Sequence, residues 1–362
     1  MDQNLVDTVD TEEFAASCLA PDFAARRVKI HPDYWYPVAW SRELKTGKPL
    51  AVRFAGSPIV LVRPKEGEVF ALENRCAHRQ VPLDMGMVTG CAIRCGYHGW
   101  TYDATGKCID VPYIGKGKLP NGVKSYPCRE AAGLVFIFPG DAAHAGPFPK
   151  LAASADPAYK TRRFGREIAC HYSFMHENLM DMNHQFLHRR LMGQISARYL
   201  GRTRGEDWLE ARYTFTRTGG KQPWGEAAVF GGRRTPDVND RDVMTIRTEY
   251  PYQTLSILPA GGGAPVMDLW IVYVPQDEAQ KTVRTFGLLS IHKPGGIVGR
   301  GLLTAGWPFL VAFTEGIFRE DRRIVEAEQA AHDAQGGNRN QEVFPVIREL
   351  TGLLMACGLP LE

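Results

Sequence analysis

Cys76-Ala77-His78 and, sixteen residues on, Cys95-Gly96-Tyr97-His98 place one thiol and one imidazole in each of two short arms. Two thiolates and two imidazoles suit a [2Fe–2S] cluster whose thiolates hold one iron and whose imidazoles hold the other, an arrangement that raises the reduction potential. Tetrahedral Zn²⁺ accepts the same four ligand types. Zinc fingers, however, pair cysteine with cysteine and histidine with histidine, whereas each arm here supplies one of each. Gly96 and Gly99 let the second arm pass close to a cluster so that backbone amides can reach its sulfurs, and Pro82 can help shield the first arm from water.

A second constellation runs from Glu177 to His188: Glu-Asn-Leu-Met-Asp-Met-Asn-His-Gln-Phe-Leu-His. On a helix, His184 and His188 share one face, and Asp181 joins the same stripe three residues earlier. Two imidazoles one turn apart chelate a divalent metal, and one distant carboxylate would complete the two-histidine-one-carboxylate triad that leaves positions open on Fe(II) for O₂. The plain alternative is two histidines on a polar face. His176-Glu177 looks like the start of a zinc-protease helix, but Met180 stands where its second histidine belongs, which rules that reading out.

The chain must be large enough to carry both centres. At 362 residues, with 44% hydrophobic and 23% charged residues, it has the composition of a soluble globular protein with room for two domains. A net charge of +3 without a basic run gives no footprint for nucleic acid. The acidic start, Met1 to Asp7, lacks the regions of a signal peptide. Gly301 to Thr314 is an uncharged apolar stretch containing Pro308; it is too short to span a bilayer, so burial is expected and no membrane partner. Six cysteines beyond the two arms, Cys18, Cys91, Cys108, Cys128, Cys170 and Cys357, are scattered as reduced thiols of a cytoplasmic enzyme would be. Cys91, four residues before Cys95, is expected to be a buried thiol and not a ligand.

Short runs rich in β-formers, at 51–54, 59–62, 69–72 and 134–138, punctuated by Gly56-Ser57-Pro58, Lys65-Glu66-Gly67 and Pro139-Gly140, predict a small all-β domain with the two arms at one tip. The Ala- and Pro-rich segment that follows reads as a linker. Beyond it, Trp208–Phe215 and Leu269–Val274 predict strands of a second sheet. The division is then an N-terminal helical segment over 1–35, the cluster domain over 36–140, a linker over 141–156 and a second domain over 157–362. Phe186, Met192, Trp307, Phe309 and Phe313 are candidates for a pocket lining, with ordinary core positions as the plainer reading.

Both arms, down to Cys95-Gly-Tyr-His-Gly-Trp-Thr-Tyr102, resemble the cluster loops of Rieske iron–sulfur proteins. With the second constellation, residues 30–335 resemble the Rieske non-haem iron oxygenases, the terminal components of ring-hydroxylating dioxygenases and of related monooxygenases and demethylases. The resemblance implies an α+β fold: a small all-β Rieske domain followed by a helix-grip catalytic domain with a curved antiparallel sheet. It implies that Cys76, His78, Cys95 and His98 hold the [2Fe–2S] cluster and that His184 and His188 hold a mononuclear Fe(II). Asn178 and Asp181 match the family's ligand helix, with Asn178 beside the iron ligands. Many members place four residues between the two histidines; here three intervene, as in carbazole dioxygenases.

The third iron ligand lies downstream, and within Glu320–Gln329 the resemblance points to Asp321. Glu320, Glu326 and Asp333 compete, and a solvated acidic helix paired with Arg319, Arg322 and Arg323 is the plain alternative. Asp181 lies too near His184 to be the obvious third ligand; a carboxylate there fixes the tautomer of a metal-bound histidine. By the resemblance it also links His184 to His98 of a neighbouring chain, which implies a homotrimer and makes Asp181 the bridge for electrons between subunits. The plain alternative is an aspartate paired with an arginine.

No Gly-x-Gly-x-x-Gly follows a strand, so electrons must arrive from a separate reductase, with or without a ferredoxin, drawing on NADH or NADPH. The resemblance therefore implies a cytoplasmic terminal oxygenase. It would use O₂ and two external electrons to hydroxylate or oxidatively demethylate a small aromatic or heteroaromatic substrate. Cis-dihydroxylation of an aromatic ring and a non-enzymatic Rieske electron carrier are the alternatives.

Overall fold

The structure, a computed structural model, describes residues 24–114, 119–219, 242–259 and 261–361. Of the segment expected to be helical, residues 24–35 are described, and among them the 3₁₀ turn Ala24–Arg27 is helical. The chain then forms a two-residue strand, Val28–Lys29, that pairs with Leu359–Pro360 near the other end of the chain. Arg26 is fixed by a salt bridge to Glu177 and lies over the Phe174 ring, so this segment is clamped against the start of the second constellation.

Residues 36–137 form three small antiparallel sheets. One, in the order 125–126, 70–73, 57–62 and 50–54, lies between two cores. Strand side chains alternate in direction. In strand 57–62, Ile59 and Leu61 therefore enter the large core shared with the second domain, while Val60 and Val62 enter a smaller core around Cys76 and Cys95. A run buried on both faces requires the unbroken apolar sequence Ile59-Val60-Leu61-Val62 that this strand carries. The third sheet, 87–89, 92–94, 101–102 and 108–110, carries the second arm between its middle strands.

The second domain is built on a continuous antiparallel sheet. Its strands are β1 (Tyr159–Phe164), β2 (Gln194–Arg204), β3 (Trp208–Gly219), β4 (Val243–Glu249), β5 (Tyr252–Leu258), β6 (Met267–Pro275) and β7 (Val283–His292). They lie in the order β1-β7-β6-β5-β4-β3-β2, with the short strand Glu167–Ile168 also on β7. Among the described residues, the helices of more than two turns that accompany it are α1 (Tyr172–Met180), α2 (Gly296–Ala334) and α3 (Pro345–Cys357). The sheet grips α1 by its backbone. Gln253 Nε2 donates to the His176 carbonyl at 3.0 Å and the Tyr213 hydroxyl to the Met180 carbonyl at 2.9 Å.

Helix α2 has two characters. From Leu310 onward the buried residues Leu310, Thr314, Asp321, Val325 and Gln329 recur at helical spacing and face the body of the protein. Its first half takes in the stretch Gly301–Thr314, whose expected burial is not found: Leu310 and Thr314 are buried, but Leu302 is 70% exposed and Phe309 61% exposed. Apolar composition alone does not distinguish a helix buried all round from one with an uncovered face. The segment also belongs to a 39-residue helix, with Pro308 inside it. By length and composition that helix is long and apolar enough to cross a membrane. Phe186, like Phe309, is exposed and so is not core.

All seven cysteines among the described residues are free, and Cys18 lies outside those residues. Cys91 is exposed, contrary to expectation, on the turn between strands 87–89 and 92–94, where its thiol donates to the Glu66 carbonyl. The linker region holds a 3₁₀ turn at Ala142–His144 and a short helix at Ala152–Ala155.

Candidate functional site

The first arm follows strand 70–73 and the second joins strands 92–94 and 101–102, so both hang from sheet edges. Backbone bonds close each into a tight loop: Gln80 N–H to the Cys76 carbonyl, Cys76 N–H to the Val81 carbonyl, and Cys95 N–H to the Trp100 carbonyl. Gly99 adopts φ +75°, and a side chain at Gly96 would meet the Met85 carbonyl at 2.7 Å; both glycines are required by the path of the loop.

The loops bring all four expected cluster residues together. Cys76 and Cys95 are 2% and 3% exposed, and the rings of His78 and His98 lie 4.6 Å apart, half-buried on the outer side. Burial pushes the Cys95 thiol up, the Tyr97 amide donates to its sulfur and pulls it down, Cys76 raises it again and the His98 amide lowers it. Such amides are what a sulfur bearing negative charge requires. His78 Nδ1 is buried and makes no hydrogen bond, as expected of a nitrogen shaped to bind iron. The donor set and this orphaned nitrogen fit a [2Fe–2S] cluster with two thiolate and two imidazole ligands.

Two aromatic neighbours stand out only in the structure. Tyr102, whose hydroxyl is 3.2 Å from Cys76 Sγ, also accepts from the Ala77 amide at 3.0 Å. Trp100 stacks on His78 with centroids 4.9 Å apart and planes 3° from parallel, and its indole N–H donates to the Tyr113 hydroxyl at 2.8 Å. Their place in the motif was visible in the sequence; their contacts with Cys76 and His78 depend on strand 101–102 folding back over the first arm.

The second constellation is not one helix. Helix α1 begins at His171, whose Nδ1 accepts from the Ser173 amide, and ends at Asp181. Asp181 then caps a 3₁₀ turn, Met182–Phe186, accepting on Oδ1 from the amide and the side chain of Asn183 at 2.8 and 2.7 Å. His184, at φ −79° and ψ 19°, is non-helical, and His188 precedes a further single turn, Arg189–Met192. The shared helical face expected for Asp181, His184 and His188 is therefore replaced by a kinked segment. The cause is local: an aspartate that caps the next turn withdraws from the helix before it. Asn178 sits half-buried near the end of α1.

The kink still brings the histidines together, and α2 supplies the carboxylate. His184, His188 and Asp321 present one ligand atom each, all within 4.8 Å of one another. Asp321 Oδ1 lies 3.1 Å from His188 Nε2 and 3.9 Å from His184 Nε2. Close as they are, no donor is aligned on Oδ1, which is buried without a hydrogen bond. Burial pushes the His184 imidazole below its ordinary pKa, partly offset by Asp321. Burial also opposes charge on His188, but Asp321 and then Glu320 outweigh it and hold that imidazole above its ordinary value. Two imidazole nitrogens and a carboxylate oxygen left without a donor fit a divalent metal of the iron type.

Glu320, weighed from sequence as a competing ligand, has a different contact. Its carboxylate accepts from His188 Nδ1 at 2.9 Å, behind the ring, which leaves Nε2 as the nitrogen that faces Asp321. Glu326 accepts from Arg322 and the Ala169 amide, and Asp333 pairs with Lys281, so neither competitor reaches the histidines.

Comparison with known proteins places these centres in a family. Residues 34–127 match the Rieske [2Fe-2S] domain, and residues 168–346 match the vanillate O-demethylase oxygenase C-terminal domain. Over 337 residues, 89% of this chain and 87% of the other, it is 34% identical to a 4beta-methylsterol monooxygenase of Methylococcus capsulatus. The chain belongs to the Rieske non-haem iron oxygenases. It is also 38% identical to the oxygenase component of dicamba O-demethylase from Stenotrophomonas maltophilia over 160 residues, 43% of this chain and 47% of that one. The crystal structure of dicamba monooxygenase bound to dicamba superposes with a TM-score of 0.70 at 25% identity, covering 90% of this chain and 98% of that one. The expected fold class and family are borne out: a Rieske domain precedes a catalytic domain. The chain is an oxidoreductase, a Rieske terminal oxygenase with a [2Fe–2S] cluster and a non-haem iron site, fed by a separate reductase and acting on small molecules.

Two outcomes test the geometry. Replacing Glu320 by Gln removes the carboxylate behind His188, so affinity for Fe(II) or Co(II) in chelator competition is expected to fall about tenfold or more, with cluster absorbance unchanged. An unaltered affinity would make Glu320 an ordinary surface acid. Separately, burial pushes His171 and His176 each down to about 3, so both remain neutral in the folded protein while the unfolded chain takes up protons near 6.5. Stability present above that value is lost as pH falls towards 3, on the order of 5 kcal/mol for the two together by pH 4.5. Urea denaturation across pH measures this loss, and His176→Phe is expected to flatten the slope; an equal slope in the variant would contradict it.

Proposed function

We propose that this oxygenase inserts one atom of O₂ into a C–H bond of a methyl group carried by a ring compound, the other atom leaving as water with two electrons from the reductase and two protons, to give a hydroxymethyl product or, from an O- or N-methyl group, demethylation by loss of formaldehyde. The support is a shared theme: the full-length relative is named for a methylsterol, and the dicamba relative and the matching C-terminal domain for O-demethylation. Aromatic and heteroaromatic rings remain the substrate class of this reading. We assign the mononuclear iron to His184, His188 and Asp321, and the cluster to Cys76, His78, Cys95 and His98. The observation that carries the assignment is the buried Asp321 Oδ1 without a donor, beside two imidazole nitrogens.

Iron held there would supply O₂ activation when electrons arrive from the cluster. The chain's own groups set the conditions. Glu320 accepts the Nδ1 proton of His188 and holds that ring in the tautomer whose Nε2 is free to ligate. Asp321 brings the negative charge that two neutral imidazoles lack. Asn178 is assigned a place beside these ligands. Asp181 uses Oδ1 for its cap, which leaves Oδ2 for a second role. In this reading it bridges His184 to His98 of the partner subunit, and the assembly is a homotrimer. The protein works in the cytoplasm, spans no bilayer, and takes electrons from an NADH- or NADPH-dependent reductase, directly or through a ferredoxin.

Iron and product analysis test the reading together. The loaded wild type is expected to hold about three irons per chain, and His184→Ala about two with the cluster spectrum intact. Under ¹⁸O₂ with reductase and methyl-bearing ring compounds, a singly labelled hydroxymethyl product, or the demethylated ring with formaldehyde, is expected. Two irons per chain in wild type and variant alike would leave an electron carrier, and a doubly labelled cis-diol would replace monooxygenation by dihydroxylation.

A further inference from the structure

Trp100 covers one face of His78, and Tyr113 holds Trp100 there. The register of the third sheet brings the three residues together. Strand 101–102 pairs with 108–110, with Thr101 opposite Asp110, and the turn closed by the Ile114 N–H on the Val111 carbonyl follows directly. Pro112 seats that turn on the second arm, since a side chain at Gly99 would meet the Pro112 ring at 3.0 Å. The Tyr113 hydroxyl then accepts the Trp100 indole N–H at 2.8 Å. Trp100 is 9% exposed and Tyr113 59% exposed, so the bond lies at the protein surface. Water at that edge would also satisfy the indole N–H. It would not fix the plane of the indole, which lies 3° from parallel to His78.

That plane bears on the electron a cluster accepts. Two ferric ions, two sulfides and two thiolates sum to no net charge, so one added electron leaves such a cluster negative. Excluding water from it, or presenting electron density to it, opposes that electron and lowers the reduction potential. The face of an aromatic ring is its electron-rich side. An indole stacked on His78 therefore acts in both ways at once. A hydroxyl oxygen that accepts the indole N–H polarises the ring further in the same sense. Tyr102 works oppositely from the thiolate side. Its hydroxyl oxygen accepts from the Ala77 amide and lies 3.2 Å from Cys76 Sγ, which leaves the hydroxyl proton for the sulfur.

We propose that Tyr113 is a positioning residue for the cluster: by holding Trp100 flat against His78, it shields the imidazole side and keeps the reduction potential low. A lower potential makes the reduced cluster a stronger electron donor to the second centre. The inference rests on the assignment of His78 as a cluster ligand under the proposed function.

Redox titration of the cluster in the full-length oxygenase, with EPR and nitrogen hyperfine spectra of the reduced form, tests this without any substrate. Tyr113→Phe keeps the ring and removes the acceptor. At a fixed poise its ratio of reduced to oxidised cluster is expected to rise about threefold, a potential higher by about 28 mV at 59 mV per tenfold for one electron. Trp100→Leu is expected to raise the ratio about tenfold, or about 59 mV. Because Tyr113 acts through Trp100, the double variant should match Trp100→Leu alone. One of the two histidine nitrogen couplings is expected to change in Tyr113→Phe while the other stays, with iron and sulfide content unaltered. Should Trp100→Leu fail to hold a cluster, the exposed position of Tyr113 lets Tyr113→Phe decide by itself. An unchanged or lower potential in Tyr113→Phe, or a double variant in which the two shifts add, overturns the proposal. A wild-type spectrum without two histidine nitrogens overturns the assignment of His78 and the proposal with it. A spectrum that shows both and does not respond to Tyr113→Phe overturns the proposal alone.

Discussion

Asp321 is a carboxylate on the buried stripe of a long helix, and the catalytic domain is organised around that placement. A carboxylate oxygen removed from water without a donor is unfavourable by several kcal/mol unless a cation stands beside it. The protein supplies no aligned donor, only two imidazole nitrogens at 3.1 and 3.9 Å. Asp321 and Glu320 outweigh burial and hold the His188 imidazole above its ordinary pKa, so a proton and a metal ion would compete for the same nitrogen. Leu310, Thr314, Val325 and Gln329 fix the helix on either side of Asp321, so the acid cannot turn out to solvent.

The two centres are built differently because their ligands come from different distances along the chain. The cluster arms are local, two loops of one small domain closed by their own backbone bonds around a compact core. The proposed iron site draws on residues over a hundred positions apart, and it is held by elements anchored elsewhere. Arg26 clamps α1 through Glu177, Gln253 and Tyr213 grip its carbonyls, and Glu320 reaches behind His188. Strand 57–62 joins the cores of both centres by turning alternate side chains to each.

How much of this was legible follows from what sequence encodes. Cys76, His78, Cys95 and His98 were legible because ligand type and short spacing carry the information, and the strands because alternation of apolar residues does. The break at Asp181 was hidden: a period of four between His184 and His188 satisfies a helix, and whether the aspartate continues it or caps the next turn depends on Asn183. Glu320 and Asp321 are adjacent acids that residue type alone cannot rank, and only the family resemblance pointed to Asp321; the helix turns Asp321 towards both Nε2 atoms and Glu320 behind one ring. The exposed face of α2 was misjudged because hydrophobicity has the same value on either side of a helix.

The most direct test of the central claim is thermal stability of the cluster-loaded protein with and without Fe(II), in wild type and in Asp321→Asn. An asparagine removes the buried charge and can donate to His188. The variant without Fe(II) is therefore expected to melt higher than the wild type without Fe(II), by the equivalent of about 1–3 kcal/mol, and to gain nothing when the metal is added. The wild type is expected to rise with Fe(II). A variant that is less stable than wild type without metal, or that gains as much from Fe(II), would contradict the account of Asp321 as a buried carboxylate that awaits a cation.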